Sequence, residues 1–402
     1  MMRTPLLRRC ARVAVAALLA GCGGSQAITA LRAIPPADVK DSASPLCTVR
    51  VIYTFARGNG SYPDGYAPGG LRIVDGAFLG MTSYGGRYGY GTVFAMTLSG
   101  RLRTIYSFKA SPDGEGPDGL TIVNGKYYGT TALGGRYGAG TVFELTPSGN
   151  ERVLYSFKGG RDGAFPIGDL NMLDGRFYGI TFYGGNGDQD GTVFDVTPLG
   201  VEHVLHRFGS KSQDYATAPG GLVVLNGVLY GTAGTSKRGW GTIFRLTLSR
   251  NYENVHTFRL DDGGYGSIFV WNGVIYGVTH GQTGPNFNGS RGFHRGAFFE
   301  LPLPSDHFRV IARIGDFYNR PGGLMPVDGA FLGSLGGGAY GDGEVYKVTT
   351  TGDESVVCSF HQTFQGPWHP EDFRLGFPYQ GKFYATSGPG LGDGGTIYEV
   401  TL

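Results

Sequence analysis

A four-residue run, Gly-Thr-Val-Phe or a near variant, occurs seven times: at Gly91–Phe94, Gly140–Phe143, Gly191–Phe194, Gly241–Phe244, Gly296–Phe299, Gly343–Tyr346 and Gly395–Tyr398. Copies spaced by roughly 50 residues restrict a chain to propellers, solenoids or arrays. Two further marks keep step with the run. An aromatic-glycine pair precedes it, at Tyr128-Gly129, Tyr178-Gly179, Tyr230-Gly231 and Tyr276-Gly277, with Leu79-Gly80, Leu332-Gly333 and Tyr384-Ala385 as variants. A closing Phe follows it, at Phe108, Phe157, Phe208, Phe258 and Phe360, with Ile314 once in its place; a further copy, Phe55, precedes all seven runs.

Between the marks, β-branched and aromatic residues alternate and are bounded by Gly/Pro/Asn/Ser clusters, the pattern of hairpins. Thr141–Thr146 runs into the turn Pro147-Ser148-Gly149-Asn150, and Arg152–Phe157 returns. With Gly119–Val123 and Lys126–Thr131 this gives four short strands, A to D, in one unit. Helices are not expected after residue 46, because the chain holds 73 glycines and each costs a helix interior about 1 kcal/mol relative to Ala. Four antiparallel strands per unit match a propeller blade. A solenoid would have shorter or helical repeats and atypical caps.

The ends of the chain favour the propeller. The last unit stops after a C strand at Leu402, while Thr48–Phe55 is a spare D strand ahead of the first A strand at Leu71. The expectation is an all-β, seven-bladed β-propeller over residues 47–402, with strand 48–55 completing the C-terminal blade and removing an exposed edge. Blade 5 departs from the repeat with an insertion, Gly281 to Arg295, and blade 7 loses the leucine register of strand A at Leu375-Gly376.

Residues 1–21 form a separate leader. Arg3, Arg8, Arg9 and Arg12 precede a short apolar stretch, Val13–Ala20, and then Leu19-Ala20-Gly21-Cys22. The stretch is too short to span a bilayer, and the arrangement resembles a bacterial lipoprotein signal, with Cys22 as the lipidated residue. The alternative is an ordinary secretory signal cut a few residues later. Both export the chain, and Gly23 after Cys22 implies the outer membrane. Residues 22–46, small, polar and Pro-containing, read as a flexible tether. The formal charge of +2 includes those four arginines; without the leader it is −2. Nucleic acid is therefore not an expected partner. Cys47 opens the D strand of blade 7 and Cys358 ends that of blade 6. Outer strands of neighbouring blades diverge, which argues against a disulfide, since its Cα atoms must lie within about 7 Å.

The pattern Gly-Leu…Gly-x-x-Tyr-Gly-Thr-Thr…Gly-Gly…Gly-Thr-Val-Phe-x-Leu-Thr…Gly…Leu-Tyr-Ser-Phe, best seen from Gly119 to Phe157, resembles the GloVer tandem repeat. Proteins with this repeat carry varied surface anchors, of which the Cys22 motif would be one. The resemblance implies a surface-attached or exported repeat protein, with Gly at tight turns and aromatic residues between blades. It implies no activity and no catalytic residues.

The B–C and D–A connections should share one face of the disc. Its tips hold Arg87-Tyr88, Arg136-Tyr137, Lys237-Arg238, Trp240, His294-Arg295 and Trp368-His369. Aromatic faces stack on sugars, and cations pair with carboxylates or sulfates. The expected role is a binding or interaction scaffold, acting as a monomer, for a polysaccharide or an envelope protein. A structural envelope protein without a small ligand is one alternative. A carbohydrate-active lyase or hydrolase is another, with His280, His294 and His369 as the groups to converge. Asn186, Asp188 and Asp190 alternate oxygen ligands as a Ca²⁺ loop does, but Thr197 stands where the bidentate Glu belongs. Asn, Asp and Gly are also ordinary turn residues there. No other cofactor is expected.

Overall fold

The computed structural model describes residues 46–58, 61–187, 189–209, 216–235, 240–259, 262, 264, 266–279, 282–285, 291–303, 307–314, 324–335, 343–360, 374–389 and 393–402. Seven four-stranded antiparallel sheets form a propeller ring. Blade 1 comprises Tyr66–Val74, Ala77–Tyr84, Thr92–Thr97 and Leu102–Ser107, and blade 2 comprises Gly114–Val123, Lys126–Gly134, Thr141–Leu145 and Glu151–Ser156. Blade 3 follows as Ala164–Leu173, Arg176–Tyr183, Thr192–Val196 and Glu202–Arg207, and blade 4 as Ala216–Leu225, Val228–Thr235, Thr242–Leu246 and Tyr252–Thr257. Blade 5 holds Gly266–Trp271, Val274–Thr279, Gly296–Pro302 and Arg309–Ile314, and blade 6 holds Met325–Val327, Ala330–Leu335, Glu344–Thr349 and Glu354–Ser359. The last sheet runs Arg374–Tyr379, Lys382–Ser387, Asp393–Thr401 and then Thr48–Ala56. A 3-10 turn stands at Gly160–Asp162.

The A strands are longer than the sequence suggests, beginning at Tyr66 and Gly114 rather than Leu71 and Gly119. The insertion of blade 5 is itself a hairpin, Gln282–Pro285 paired with Arg291–His294. In blade 7 the lost leucine register corresponds to an irregularity between Leu375 and Pro378.

Each A–B turn carries two consecutive residues of positive φ: Asp75-Gly76, Asn124-Gly125, Asp174-Gly175, Asn226-Gly227, Asn272-Gly273, Asp328-Gly329 and Gln380-Gly381. That is the requirement of a two-residue hairpin whose twist matches its strands. The glycines of the aromatic-glycine mark have another reason. Gly129 lies within strand B, directly opposite Phe143 of strand C. A Cβ on Gly129 would sit 2.6 Å from the tip of the Phe143 ring. The same pairing joins Gly80 to Phe94, Gly179 to Phe194, Gly231 to Phe244, Gly277 to Phe299 and Gly333 to Tyr346. Each glycine leaves room for the aromatic ring that folds across it.

The far side of that ring meets the preceding blade. Phe143 packs edge-on against Phe108 at 5.2 Å, as Phe94 does on Phe55, Phe194 on Phe157 and Phe244 on Phe208. Phe299 and Phe258 meet at a more tilted 5.7 Å. Where Ile314 replaces the closing Phe, it shares a cluster with Tyr346. Among the described residues, buried apolar side chains form seven clusters, each shared by two successive blades. One of them joins Tyr384 and Ile397 of the last sheet to Phe78 and Phe94 of blade 1 through Phe55.

Thr48–Ala56 pairs antiparallel with Asp393–Thr401, with Thr48 opposite Thr401 and Thr54 opposite Thr396. Arg50 donates twice to Glu399, at 3.2 and 2.8 Å, and Lys382 donates once more at 2.8 Å. The Arg50 guanidinium foremost pulls Glu399 down to about 2. The start of this strand also touches blade 6. The Cys47 N–H donates to the Ser359 carbonyl at 3.1 Å, and Cys47 and Cys358 form a disulfide with their Cα atoms 5.0 Å apart. The argument against a bridge fails because residues 46 and 47 run beside the end of the blade 6 D strand before diverging from it.

Phe143→Ala should destabilise the protein by about 3–5 kcal/mol, the cost of emptying a closed aromatic site. Chemical denaturation of the purified chain measures it. A loss within about 0.5 kcal/mol, typical of surface positions, would contradict the role given to the ring.

Candidate functional site

The B–C turns lean on the D–A connections, which places both on one face. Gly86 N–H donates to the Tyr62 carbonyl at 2.8 Å, Gly135 N–H to Asp113 at 2.5 Å and Gly185 N–H to Gly160 at 3.0 Å. In blades 1 and 2 the turn is Gly-Gly-Arg-Tyr-Gly, with all three glycines at positive φ. Its tip is pinned by the Ser of Tyr-Ser-Phe: Arg87 N–H donates to Ser107 Oγ and Arg136 N–H to Ser156 Oγ, each at 3.2 Å.

The two tips present the same chemistry. Arg87 lies over the Tyr88 ring at 5.4 Å and Arg136 over Tyr137 at 5.6 Å. Both rings stay open to solvent, 43% and 51% exposed, so a ligand can reach them. A second cation stands behind the first tip, and a lysine holds the same chain position one blade on. Lys109 Nζ is 5.8 Å from the Tyr88 ring and 5.7 Å from Tyr106, and Lys158 Nζ is 5.8 Å from Tyr155. Such cation–ring contacts contribute about 0.5–1 kcal/mol each at exposed sites.

Beneath the lysines lies a layer of buried polar groups. Tyr106 O–H donates to Asp113 at 2.8 Å, and Asp113 also accepts Lys109 N–H at 3.0 Å and Gly114 N–H at 2.6 Å. Tyr155 O–H donates to Asp162 at 2.8 Å, and Asp162 accepts Lys158 N–H at 2.8 Å. The next blade supplies a second carboxyl. Glu151 meets the Tyr106 hydroxyl at 3.4 Å, and Glu202 occupies the same position against Tyr155. Burial first, and the adjacent Asp113 or Asp162 second, push Glu151 and Glu202 up to about 7. Burial and the bond to the aspartate raise both tyrosines.

Further round the ring the same level turns aromatic. His206 stacks on Tyr252 at 4.0 Å and His256 on Phe308 at 3.7 Å. Next to the last sheet, Tyr53 O–H donates to Asp64 at 2.6 Å. Towards the inner strands, Arg72 of blade 1 pairs with Asp169 of blade 3, which also accepts Leu120 N–H at 2.9 Å. Those inner charges answer one another.

Of the residues singled out from sequence, Arg87, Tyr88, Arg136 and Tyr137 form the two matching tips. Trp240 is half-buried, packs against the cluster between blades 4 and 5, and donates its backbone N–H to the Phe258 carbonyl at 3.4 Å. It serves packing there. Arg295 is exposed at the end of the blade 5 hairpin, to which the His294 backbone also belongs. Cys22, Asp188, Arg238, His280, Trp368 and His369 lie outside the described residues, as does the His294 side chain. Asn186 is engaged in holding its own turn, its amide donating to the Arg207 carbonyl at 3.0 Å and its N–H to Phe208 at 3.1 Å. Among the described residues no three His, Cys, Asp or Glu side chains approach closely enough to hold a metal ion.

Lys109, Lys158 and the Tyr–Asp–Glu groups escaped the sequence reading. Their signal is positional. Tyr106 and Tyr155 stand two residues before the closing Phe, the lysines one after it, and Asp113 and Asp162 five after it.

Residues 42–239 match the profile of the Gloeobacter/Verrucomicrobia repeat, and this stretch belongs to that repeat family. No curated protein matches the chain. Among solved structures, a streptogramin B lyase is 13% identical and aligns over 89% of this chain and 98% of its own, with a TM-score of 0.57. A catalytically inactive virginiamycin B lyase from Staphylococcus aureus, solved with quinupristin, is 14% identical over 89% of this chain and 99% of its own, also at 0.57. At such identities the likeness is one of fold, and a fold hosts many activities.

Asp113→Ala removes an acceptor that serves three donors. It should cost about 1–3 kcal/mol, the penalty for stranding buried polar groups, measured by chemical denaturation at pH 7. An unchanged midpoint would show that the D–A connection does not depend on this carboxylate.

Proposed function

We propose that this chain, whose first half carries the Gloeobacter/Verrucomicrobia repeat, is an exported, surface-anchored binding scaffold that holds an anionic glycan on its B–C face. The observation that carries the reading is the duplicated tip. Two adjacent blades each offer an exposed tyrosine ring under an arginine, and Lys109 backs the first of them. Rings stack on the apolar faces of sugars, and guanidinium groups pair with uronate or sulfate oxygens. Two like stations on neighbouring blades suit a polymer that repeats the same group, and binding at one raises the effective concentration at the other.

On an array of neutral, uronate-bearing and sulfated oligosaccharides, the purified chain should retain acidic members only. Arg87→Ala and Arg136→Ala should each weaken retention about two- to fivefold, the loss of one exposed ion pair with the ligand. Trp240→Ala should lower stability and leave retention unchanged. Equal retention of neutral and acidic sugars would refute the charge-based reading, and no retention at all would favour a purely structural envelope role.

Anchoring through Cys22 is part of the same proposal. The Leu19-Ala20-Gly21-Cys22 sequence supports it. So does the Cys47–Cys358 disulfide, a bond that persists outside the reducing cytosol. Labelled palmitate fed to a bacterial host should be incorporated into the full chain and not into Cys22→Ala, which should leave the membrane fraction. Equal labelling of both forms would rule out Cys22 as the anchor.

A further inference from the structure

Glu151 and Glu202 sit behind the cationic side of the two tips. The Tyr106 hydroxyl has one proton, and at 2.8 Å that proton belongs to Asp113. The same hydroxyl reaches Glu151 only at 3.4 Å, so its single proton, held by Asp113, leaves a Glu151 carboxylate with one long, shared bond. The other Glu151 oxygen is buried and finds no hydrogen-bond partner among the described residues, and the same holds for Glu202. Both sites therefore accommodate a neutral acid more readily than an anion. The groups acting on Glu151 are Asp113, Tyr106 and Lys109. Those acting on Glu202 are Asp162, Tyr155, Asp195 and Lys158, and Asp195 is itself paired with Arg176.

Charge at each tip follows from the protonation of that one glutamate. With Glu151 ionised, it and Asp113 stand against the Lys109 charge, and protonation removes one negative charge from beside that lysine. Glu202, Asp162 and Lys158 repeat the arrangement one blade on.

We propose that Lys109 and Lys158 are ligand-binding residues and that Glu151 and Glu202 gate them by proton uptake, so that the face takes up anionic polymer in mildly acidic surroundings and releases it above neutrality. This rests on the anionic-glycan reading and adds its regulation. Protonation favours the neutral, uncompensated state, so affinity rises as pH falls. Burial and the neighbouring carboxylate place the change near pH 7, inside the range in which an envelope protein works.

The test measures binding of short dextran sulfate, with unmodified dextran as the neutral control, at pH 5.5 and 8.0 and constant ionic strength. Wild type should bind dextran sulfate about threefold or more tightly at pH 5.5, as expected for one gained charge at each of two half-exposed sites. Glu151→Gln combined with Glu202→Gln should bind at pH 8.0 as wild type does at pH 5.5. Lys109→Ala with Lys158→Ala should weaken binding at both. The decisive comparison is between wild type and the double glutamine variant. An identical pH dependence in the two overturns the gating while leaving the binding reading intact; no binding of dextran sulfate at either pH overturns both. Melting temperature supplies a readout without ligand. A carboxyl raised on folding contributes its full stability below its unfolded value of about 4.5 and loses it as pH rises through the folded value. The glutamine variant should melt above wild type at pH 8.0 and no higher than wild type at pH 5.0. A constant difference across that range would also overturn the gating.

Discussion

An aromatic ring laid across a glycine holds this protein together. Phe143 of strand C folds over Gly129 of strand B in its own blade and presents its other side to Phe108 of the blade before. One contact thus joins two strands of one sheet to the outer strand of the next. Each edge-on pair adds about 0.5–1.5 kcal/mol beyond the area it buries. The larger effect is geometric. The ring seats only where the glycine has no Cβ, which sets the register of B against C, and it meets its neighbour only at one blade-to-blade angle. Repeated round the disc, the contact orders the remaining strands, and the B–C tips and D–A connections inherit their positions from it.

Above that constant layer the interfaces between blades diverge. Tyr106 faces Glu151 and Tyr155 faces Glu202, with an aspartate joining each pair. One step on, the corresponding positions are His206 and Tyr252, then His256 and Phe308, both stacked. Cys358 holds that position in blade 6 and takes Cys47 as its partner. The aromatic layer below supplies enough fixed geometry that this level can be polar, aromatic or covalent without disturbing the ring. Blades 1 and 2 carry the version in which a tyrosine, an aspartate and a glutamate meet, and they are also the blades with matching Arg–Tyr tips.

Much of the architecture could be read from the chain because its signals are local and repeated. The Gly-Thr-Val-Phe runs are the C strands, the aromatic-glycine pairs lie in B, and the spare strand before Leu71 is paired with the last C strand. The tips at Arg87-Tyr88 and Arg136-Tyr137 were visible for the same reason: a turn motif is contiguous. The disulfide was not, because it depends on how the first two described residues approach the blade 6 edge. Lys109 and Glu151 were not, because a lysine after one closing Phe and a glutamate at the start of the next D strand become neighbours only when two blades pack.

The sequence by itself determined the number of blades, the strand order within each and the two-residue A–B turns, since alternation, Asx-Gly pairs and repeat spacing act over a few residues. The tertiary structure alone decided why the marked glycines are glycines, that Cys47 reaches Cys358, and that a second carboxyl stands behind each cationic tip. Those facts turn on contacts between residues of different strands and blades, 311 positions apart for the disulfide, which no local pattern encodes. Burial then changes what the side chains are: a glutamate that would be an anion on an isolated strand becomes, between two blades, an acid that can hold its proton near neutrality.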